Sequence, residues 1–373
     1  MKKRTIPLAR PDITDHERQK VMAVLHTPYL SMGPMIEKFE ERVAAVAGTR
    51  YAVAVSSGTA GLHILVRALG LGAGDEVITT SFSFIASSNC LLFEGVKPVF
   101  AEIDEETLNI DPARIEEKIT PRTKAILPVH VFGRPADMEA INEIARRHNL
   151  KVIEDACEAI GASRRGIPAG KLGDGAVFAY YPNKQITTGE GGTIVTDNPE
   201  LYRLARTLRN QGRSEGGGWF DHERLGFNYR FDELSAALGL AQIERLDEIL
   251  EKRERVAEKY NRFLSEIPGV RVPHREPDVK ISWFVYVIRL EEGIDRDRTL
   301  HYLQERGISC KPYFCPIHLL PFYKRELGCQ DGDLPLTEKV ARTTLALPFY
   351  NNLSEDDIAY IASCLREAVE YCR

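Results

Sequence analysis

Residues 178–193 read Phe178-Ala-Tyr-Tyr-Pro-Asn-Lys-Gln-Ile-Thr-Thr-Gly-Glu-Gly-Gly-Thr193: a strand-like apolar run, a proline turn, one lysine, and a glycine-rich return to a second strand. A lone lysine on a turn is ordinarily a solvated charge. Around Lys184, two tyrosines, a proline and three glycines make a constrained, semi-apolar place. Burial disfavours an ammonium and leaves an amine nucleophilic enough for Schiff-base chemistry.

Upstream, Leu150-Lys-Val-Ile-Glu-Asp155 reads as a short buried strand ending in an acidic pair. A carboxylate at the carboxyl end of a strand in an open α/β sheet points into the crevice where ligands bind. Further upstream, Tyr51-Ala-Val-Ala-Val-Ser-Ser-Gly-Thr-Ala-Gly61 is a strand that breaks into a small-residue turn, followed by a helical run over 62–69. Small residues at a helix start let backbone N–H groups approach an anion, and Ser57 and Thr59 add hydroxyl donors. A phosphate cradle, a strand-end aspartate and a later turn lysine meet the three requirements of pyridoxal phosphate. Taken singly they would be a helix cap, a strand-end carboxylate and a surface charge. In this order they favour the cofactor.

On these motifs the chain resembles the DegT/StrS nucleotide-sugar aminotransferases, pyridoxal-phosphate enzymes of the aspartate aminotransferase fold. Further matching segments are Gly74-Asp-Glu-Val-Ile78, Ser81-Phe-Ser-Phe84, Thr187-Thr-Gly-Glu-Gly-Gly192, Gly226-Phe-Asn-Tyr-Arg230 and Ala236-Ala-Leu-Gly-Leu-Ala-Gln242. The resemblance implies that Lys184 binds the cofactor covalently and later moves a proton. It implies that Asp155 partners the pyridinium, Phe84 stacks on the ring, and Gly58 and Thr59 contact the phosphate. It places Asn228 on the phosphate of a neighbouring subunit, which makes a homodimer with shared active sites. Tyr313, His318, Tyr181 and the loop from Leu30 to Gly33 fall where relatives meet the sugar nucleotide. Two positions depart from the family pattern. Ala179 stands where relatives carry a phosphate-binding serine, a contact that is then either lost or taken over by Tyr180 or Asn183. Glu158 stands where they carry glutamine or histidine facing the cofactor's phenolic oxygen, so it is protonated, turned aside or bridged by a donor.

The reaction implied is transfer of an amino group, from glutamate, to a keto carbon of a nucleotide-linked sugar, in amino-sugar and polysaccharide biosynthesis. A pyridoxamine-dependent sugar dehydratase is the alternative within the fold, but those relatives replace the lysine by histidine. A non-enzymatic regulatory homologue is the alternative outside it. No basic recognition helix supports that reading.

The 373 residues exceed one ordinary domain. Alternating strand-like and helical runs from Tyr51 to Thr196 imply an α/β fold, a mostly parallel sheet sandwiched by helices. Helices are expected over 112–118, 137–148 and 199–209, and a single long amphipathic one from Ser235 to about Glu266. Strands at 270–272, 283–290 and 308–312, with helices at 298–306 and 354–371, predict a smaller C-terminal α/β domain. The expected division is residues 1–245 and 246–373, with an N-terminal arm over 1–30 that can pack elsewhere. The glycine-rich stretch Thr207–Phe231 is expected at the active-site rim. A net charge of −5 with no basic stripe argues against nucleic-acid binding. Met1-Lys-Lys-Arg4 reads as a solvated tail. No run approaches a membrane span, the N-terminus lacks a signal-peptide core, and seven scattered cysteines suit neither a disulfide framework nor a metal site, so a cytoplasmic location is expected.

Overall fold

The computed structural model describes residues 4–373 apart from Glu215, Gly217 and Trp219. Its strands, in chain order, are β1 (Tyr51–Val55), β2 (Glu76–Thr80), β3 (Lys97–Ala101), β4 (Thr123–Leu127) and β5 (Lys151–Asp155). Two short strands, β6 (Ser163–Arg164) and β7 (Ile167–Pro168), precede β8 (Gly175–Ala179) and β9 (Gly192–Thr196). The rest are β10 (Val270–Arg271), β11 (Val279–Lys280), β12 (Tyr286–Leu290) and β13 (Thr344–Leu347).

The seven-stranded sheet runs β1-β9-β8-β5-β4-β2-β3. β9 alone opposes both its neighbours, and the other pairings are parallel. Successive side chains of a strand face opposite sides. Val53 and Val55 accordingly join the core around the helix Gly58–Ala68, while Ala52 and Ala54 join the core around the helix Pro34–Ala47. Both faces are covered, which is why these strands read as nearly continuous apolar runs. This is the expected α/β architecture, a mostly parallel sheet sandwiched by helices.

A second sheet, β10-β12-β13, is antiparallel and has its own core. Helices Leu246–Leu264, Arg296–Glu305 and Glu355–Tyr371 supply residues to it, and so does the arm, through Ile6. Arg4 pairs with Asp357, so the basic tail is tied down at that residue. Met1 to Lys3 lie outside the described residues.

Four expectations about elements need correction. Residues 112–118 form two 3₁₀ turns rather than one helix. Asp111 and Pro112 start the segment as a cap and first-turn proline should. Thr120 precedes Pro121, which closes the α region to it, and the short piece buries only Ile115. The long helix is two, Glu233–Glu244 and Leu246–Leu264, broken at Arg245. The first is mostly apolar and buried, with Glu233 and Gln242 inside it as well. The second is amphipathic, though Arg253 is turned inward. Residues 308–312 pair with the arm at Ile308 and with β13 at Lys311, without becoming a strand. The strand expected from Trp283 begins only at Tyr286, because Ser282 and Phe284 donate their N–H groups to Gly133 and Phe132 of the large-sheet region.

The helix Asp15–Leu25 opens with a capping box, in which the Glu17 carboxylate accepts from Thr14 N at 2.6 Å. Burial by itself raises the Glu17 carboxyl, but bonds from Thr14, Gln242 and Arg245 outweigh it and hold the group at about 2. Its contribution to stability is therefore complete above the ordinary value of 4.5 and is lost as pH falls toward about 2. The melting-temperature gap between wild type and Glu17→Gln should be widest above about pH 5 and close on acidification. A gap independent of pH would remove Glu17 from this role.

Candidate active site

Five strands of like direction deliver their carboxyl ends to one crevice. β1 leads into Ser57 and Gly58, β2 into Phe84, β4 into Phe132, β5 into Asp155 and Glu158, and β8 into Lys184. This edge is where an open α/β sheet binds ligands.

Gly58 starts the helix Gly58–Ala68, whose first N–H groups have no intrahelical acceptor. The Ser57 hydroxyl takes up one of them, Ala60 N, at 3.1 Å. A Cβ on Gly58 would fall 2.7 Å from Ala179 Cβ and 2.9 Å from Cys157 Sγ, so only glycine lets the helix start approach β8 and β5 this closely. Thr59 is half-buried beside it.

Asp155 is 4% exposed. Oδ2 accepts from the Ser87 hydroxyl at 2.7 Å and Oδ1 from Cys157 N at 3.1 Å. Ser87 lies one turn past Phe84, whose own ring is 62% exposed. An exposed aromatic on a loop whose next turn grips a buried carboxylate is free to cover a flat ligand. The Cys157 thiol is pushed well up by burial and by the Asp155 charge, which makes it a poor nucleophile.

Lys184 follows the turn at Pro182, with its N–H donated to Tyr181 O at 2.8 Å. Its side chain is 13% exposed, with Nζ 3.5 Å from Glu158 Oε1 and 3.8 Å from the centroid of the Phe284 ring. Glu158 Oε2 accepts from Phe132 N at 2.9 Å. Within the protein Glu158 thus meets two donors, the Phe132 N–H and the Lys184 amine. Burial raises its carboxyl, Lys184 and the Phe132 N–H act against the rise, and Asp155 adds to it. Tyr313 stacks with Phe314, Phe132 and Phe284, and its phenol is raised by burial and by the Glu158 charge.

Lys184, Glu158, Asp155, Gly58 and Tyr313 thus converge. Other expected site residues are placed differently. His318 is 1% exposed and offers nothing to a substrate: Nδ1 meets Ser81 Oγ at 2.7 Å and Nε2 meets Glu338 at 3.2 Å. Both ring nitrogens are occupied, so it is an internal tie from the C-terminal region to the Ser81–Phe84 loop. Tyr180 cannot replace the missing serine, since alternation along β8 turns it away from Ala179 and edge-on to Phe39 at 5.3 Å. Asn183 keeps a buried Oδ1 with no partner among the described residues, and so remains available. Leu30 and Tyr181 are exposed, and Leu30 is tied through its carbonyl to Glu233 N rather than to the lysine. Asn228 is exposed on a segment anchored to its own chain by Tyr229 O, which accepts from Ser56 N. The 207–231 stretch folds back on itself through Asn210 with Asn228 and Arg213 with His222. Within it, Glu215, Gly217 and Trp219 are outside the described residues.

Three residues of the site escaped sequence reading. Ser87 could have been found one helical turn after Phe84. Phe132 and Phe284 carry no local signal, because only tertiary pairing brings them to Lys184.

The donor set fits pyridoxal phosphate: a glycine cradle at a helix start, an exposed stacking ring, a fixed buried carboxylate and a reachable lysine. Residues 11–366 match the DegT/DnrJ/EryC1/StrS aminotransferase family, and the chain belongs to it. It is 42% identical over 370 residues to the GDP-perosamine synthase of Caulobacter vibrioides, covering 98% of each chain. It is 37% identical over 378 residues to the spore coat polysaccharide biosynthesis protein SpsC of Bacillus subtilis, covering 98% of this chain and 97% of that one. The crystal structure of S. venezuelae DesV superposes with a TM-score of 0.90 at 37% identity over 95% of each chain.

Proposed function

We propose that this chain is a pyridoxal-phosphate aminotransferase that moves an amino group from glutamate onto a keto carbon of a nucleotide-linked sugar. The observation that carries it is the meeting of Lys184, Asp155 and the Gly58 helix start at one sheet edge, in a chain of this family. When bound, the cofactor supplies an electron sink that makes amino exchange possible. Gly58 and Thr59 would hold its phosphate, Asp155 would keep a proton on its ring nitrogen, and Phe84 would cover one face. Lys184 would anchor it and then carry a proton between the two carbons that exchange the amino group. The nucleotide-sugar reading draws on what relatives act on, such as GDP-perosamine synthase.

Purified protein given glutamate and a panel of nucleotide-linked keto sugars should form 2-oxoglutarate in step with an aminated sugar. Loss of a sugar hydroxyl without glutamate consumption would favour the dehydratase, and inertness toward the whole panel would overturn the proposal.

We also propose a homodimer in which Asn228 reaches the partner's phosphate, with residues 1–245 and 246–373 as the two domains. Mixing inactive Lys184→Ala with inactive Asn228→Asp should then restore part of the activity, since one site of the mixed dimer holds neither defect. No recovery after confirmed subunit exchange would confine Asn228 to its own chain's site.

A further inference from the structure

Lys184 Nζ sits between two groups from distant parts of the chain, the Glu158 carboxyl at 3.5 Å and the Phe284 ring at 3.8 Å. Both attract a positive charge, one through its own charge and the other through the electron-rich face of the ring. One residue holds both. Phe132 donates its N–H to Glu158 Oε2 at 2.9 Å, and its carbonyl accepts from Phe284 N at 3.3 Å. To do so Phe132 takes φ = 58°, a left-handed conformation that non-glycine residues rarely adopt. The far side of Phe284 is fixed as well. Arg253, fully inside the protein, donates to Trp283 O at 2.6 Å and to Phe284 O at 2.8 Å. Asp155, Cys157 and Tyr313 are titratable groups that also act here, and the Arg253 guanidinium is the cation behind Phe284.

We infer that Glu158 and Phe284 form a seat for the Lys184 ammonium, built on the Phe132 backbone, that holds the lysine at the crevice whenever its amine is free. Glu158 is then a positioning residue for Lys184, a role separate from facing a cofactor oxygen. Transamination frees this lysine in every half-reaction, so a fixed resting place returns it to the same position each cycle. The inference rests on the proposed function only in giving Lys184 a catalytic task. The seat itself is a property of the protein without cofactor.

Cofactor-free protein can be treated with acetic anhydride at pH 7 and the acetylation of Lys184 followed by peptide mass spectrometry, with exposed Lys124 as internal reference. An ammonium does not react, so the seat protects. Glu158→Gln keeps shape and access and should speed Lys184 labelling about tenfold relative to Lys124, because the carboxyl that favours the unreactive ammonium is gone. Phe284→Leu should speed it severalfold, and Phe284→Tyr, which keeps the ring, should leave it near wild type. Unchanged labelling in Glu158→Gln, in protein whose melting curve is intact, overturns the seat. If Glu158→Gln does not fold, equal labelling of Phe284→Leu and Phe284→Tyr overturns it. Because no cofactor is present, these outcomes are independent of whether Lys184 binds pyridoxal phosphate.

Discussion

A Lys184→Ala variant is expected to fold like the wild type and to lose at least about ten-thousand-fold in transamination rate. Proton transfer by a positioned side chain is worth about 10² to 10⁴, and covalent anchoring adds to it. The fold should survive because the lysine contributes little to packing. It lies at the crevice, its N–H bond to Tyr181 is a backbone contact that alanine keeps, and Glu158 retains the Phe132 N–H. Turnover of variant and wild type, measured with glutamate and the accepted keto-sugar nucleotide, checks this. A rate within tenfold of wild type would move the chemistry to another residue.

Asp155→Asn should be next in severity, losing about 10² to 10³ in rate, the size of effect seen when one preorganised electrostatic contact to a developing charge is removed. The substitution is nearly isosteric and can be accommodated. The amide oxygen still accepts from Cys157 N, and the amide nitrogen can donate to Ser87 Oγ, which also meets Ser83 Oγ at 2.8 Å. What disappears is the negative charge that would hold a proton on the cofactor's ring nitrogen. The variant should bind cofactor yet turn over slowly. Full turnover with cofactor bound would take Asp155 out of this role.

The two predictions rest on residues that local sequence could reveal, for a physical reason. Asp155 and Gly58 lie at the ends of strands whose apolar runs are continuous because both faces are buried, so the strand ends, and with them the crevice, are legible from pattern alone. Lys184 is legible because proline and glycine punctuate its turn. His318 shows the limit. Its ring looks like a substrate ligand on a loop, but Ser81 and Glu338, far apart in sequence, bury both nitrogens. Phe284 shows the converse. The run from Trp283 reads as a plain core strand, and only the pairing of Ser282 and Phe284 with Gly133 and Phe132 lifts that ring out of the sheet and onto the lysine. The division of the long helix is hidden for a related cause. Nothing local marks a break at Arg245, which in the fold leaves helical geometry (φ −107°, ψ 12°) and donates to Glu17 and Glu248.

The account turns on Lys184 as the residue that carries the cofactor, and this can be tested directly. Protein loaded with pyridoxal phosphate can be reduced with borohydride, which makes the lysine–cofactor bond permanent, then digested and mapped by mass spectrometry. The account predicts one phosphopyridoxyl-labelled peptide, modified at Lys184, and none from Lys184→Ala. Label on a different lysine, or label that persists in the variant, would contradict it.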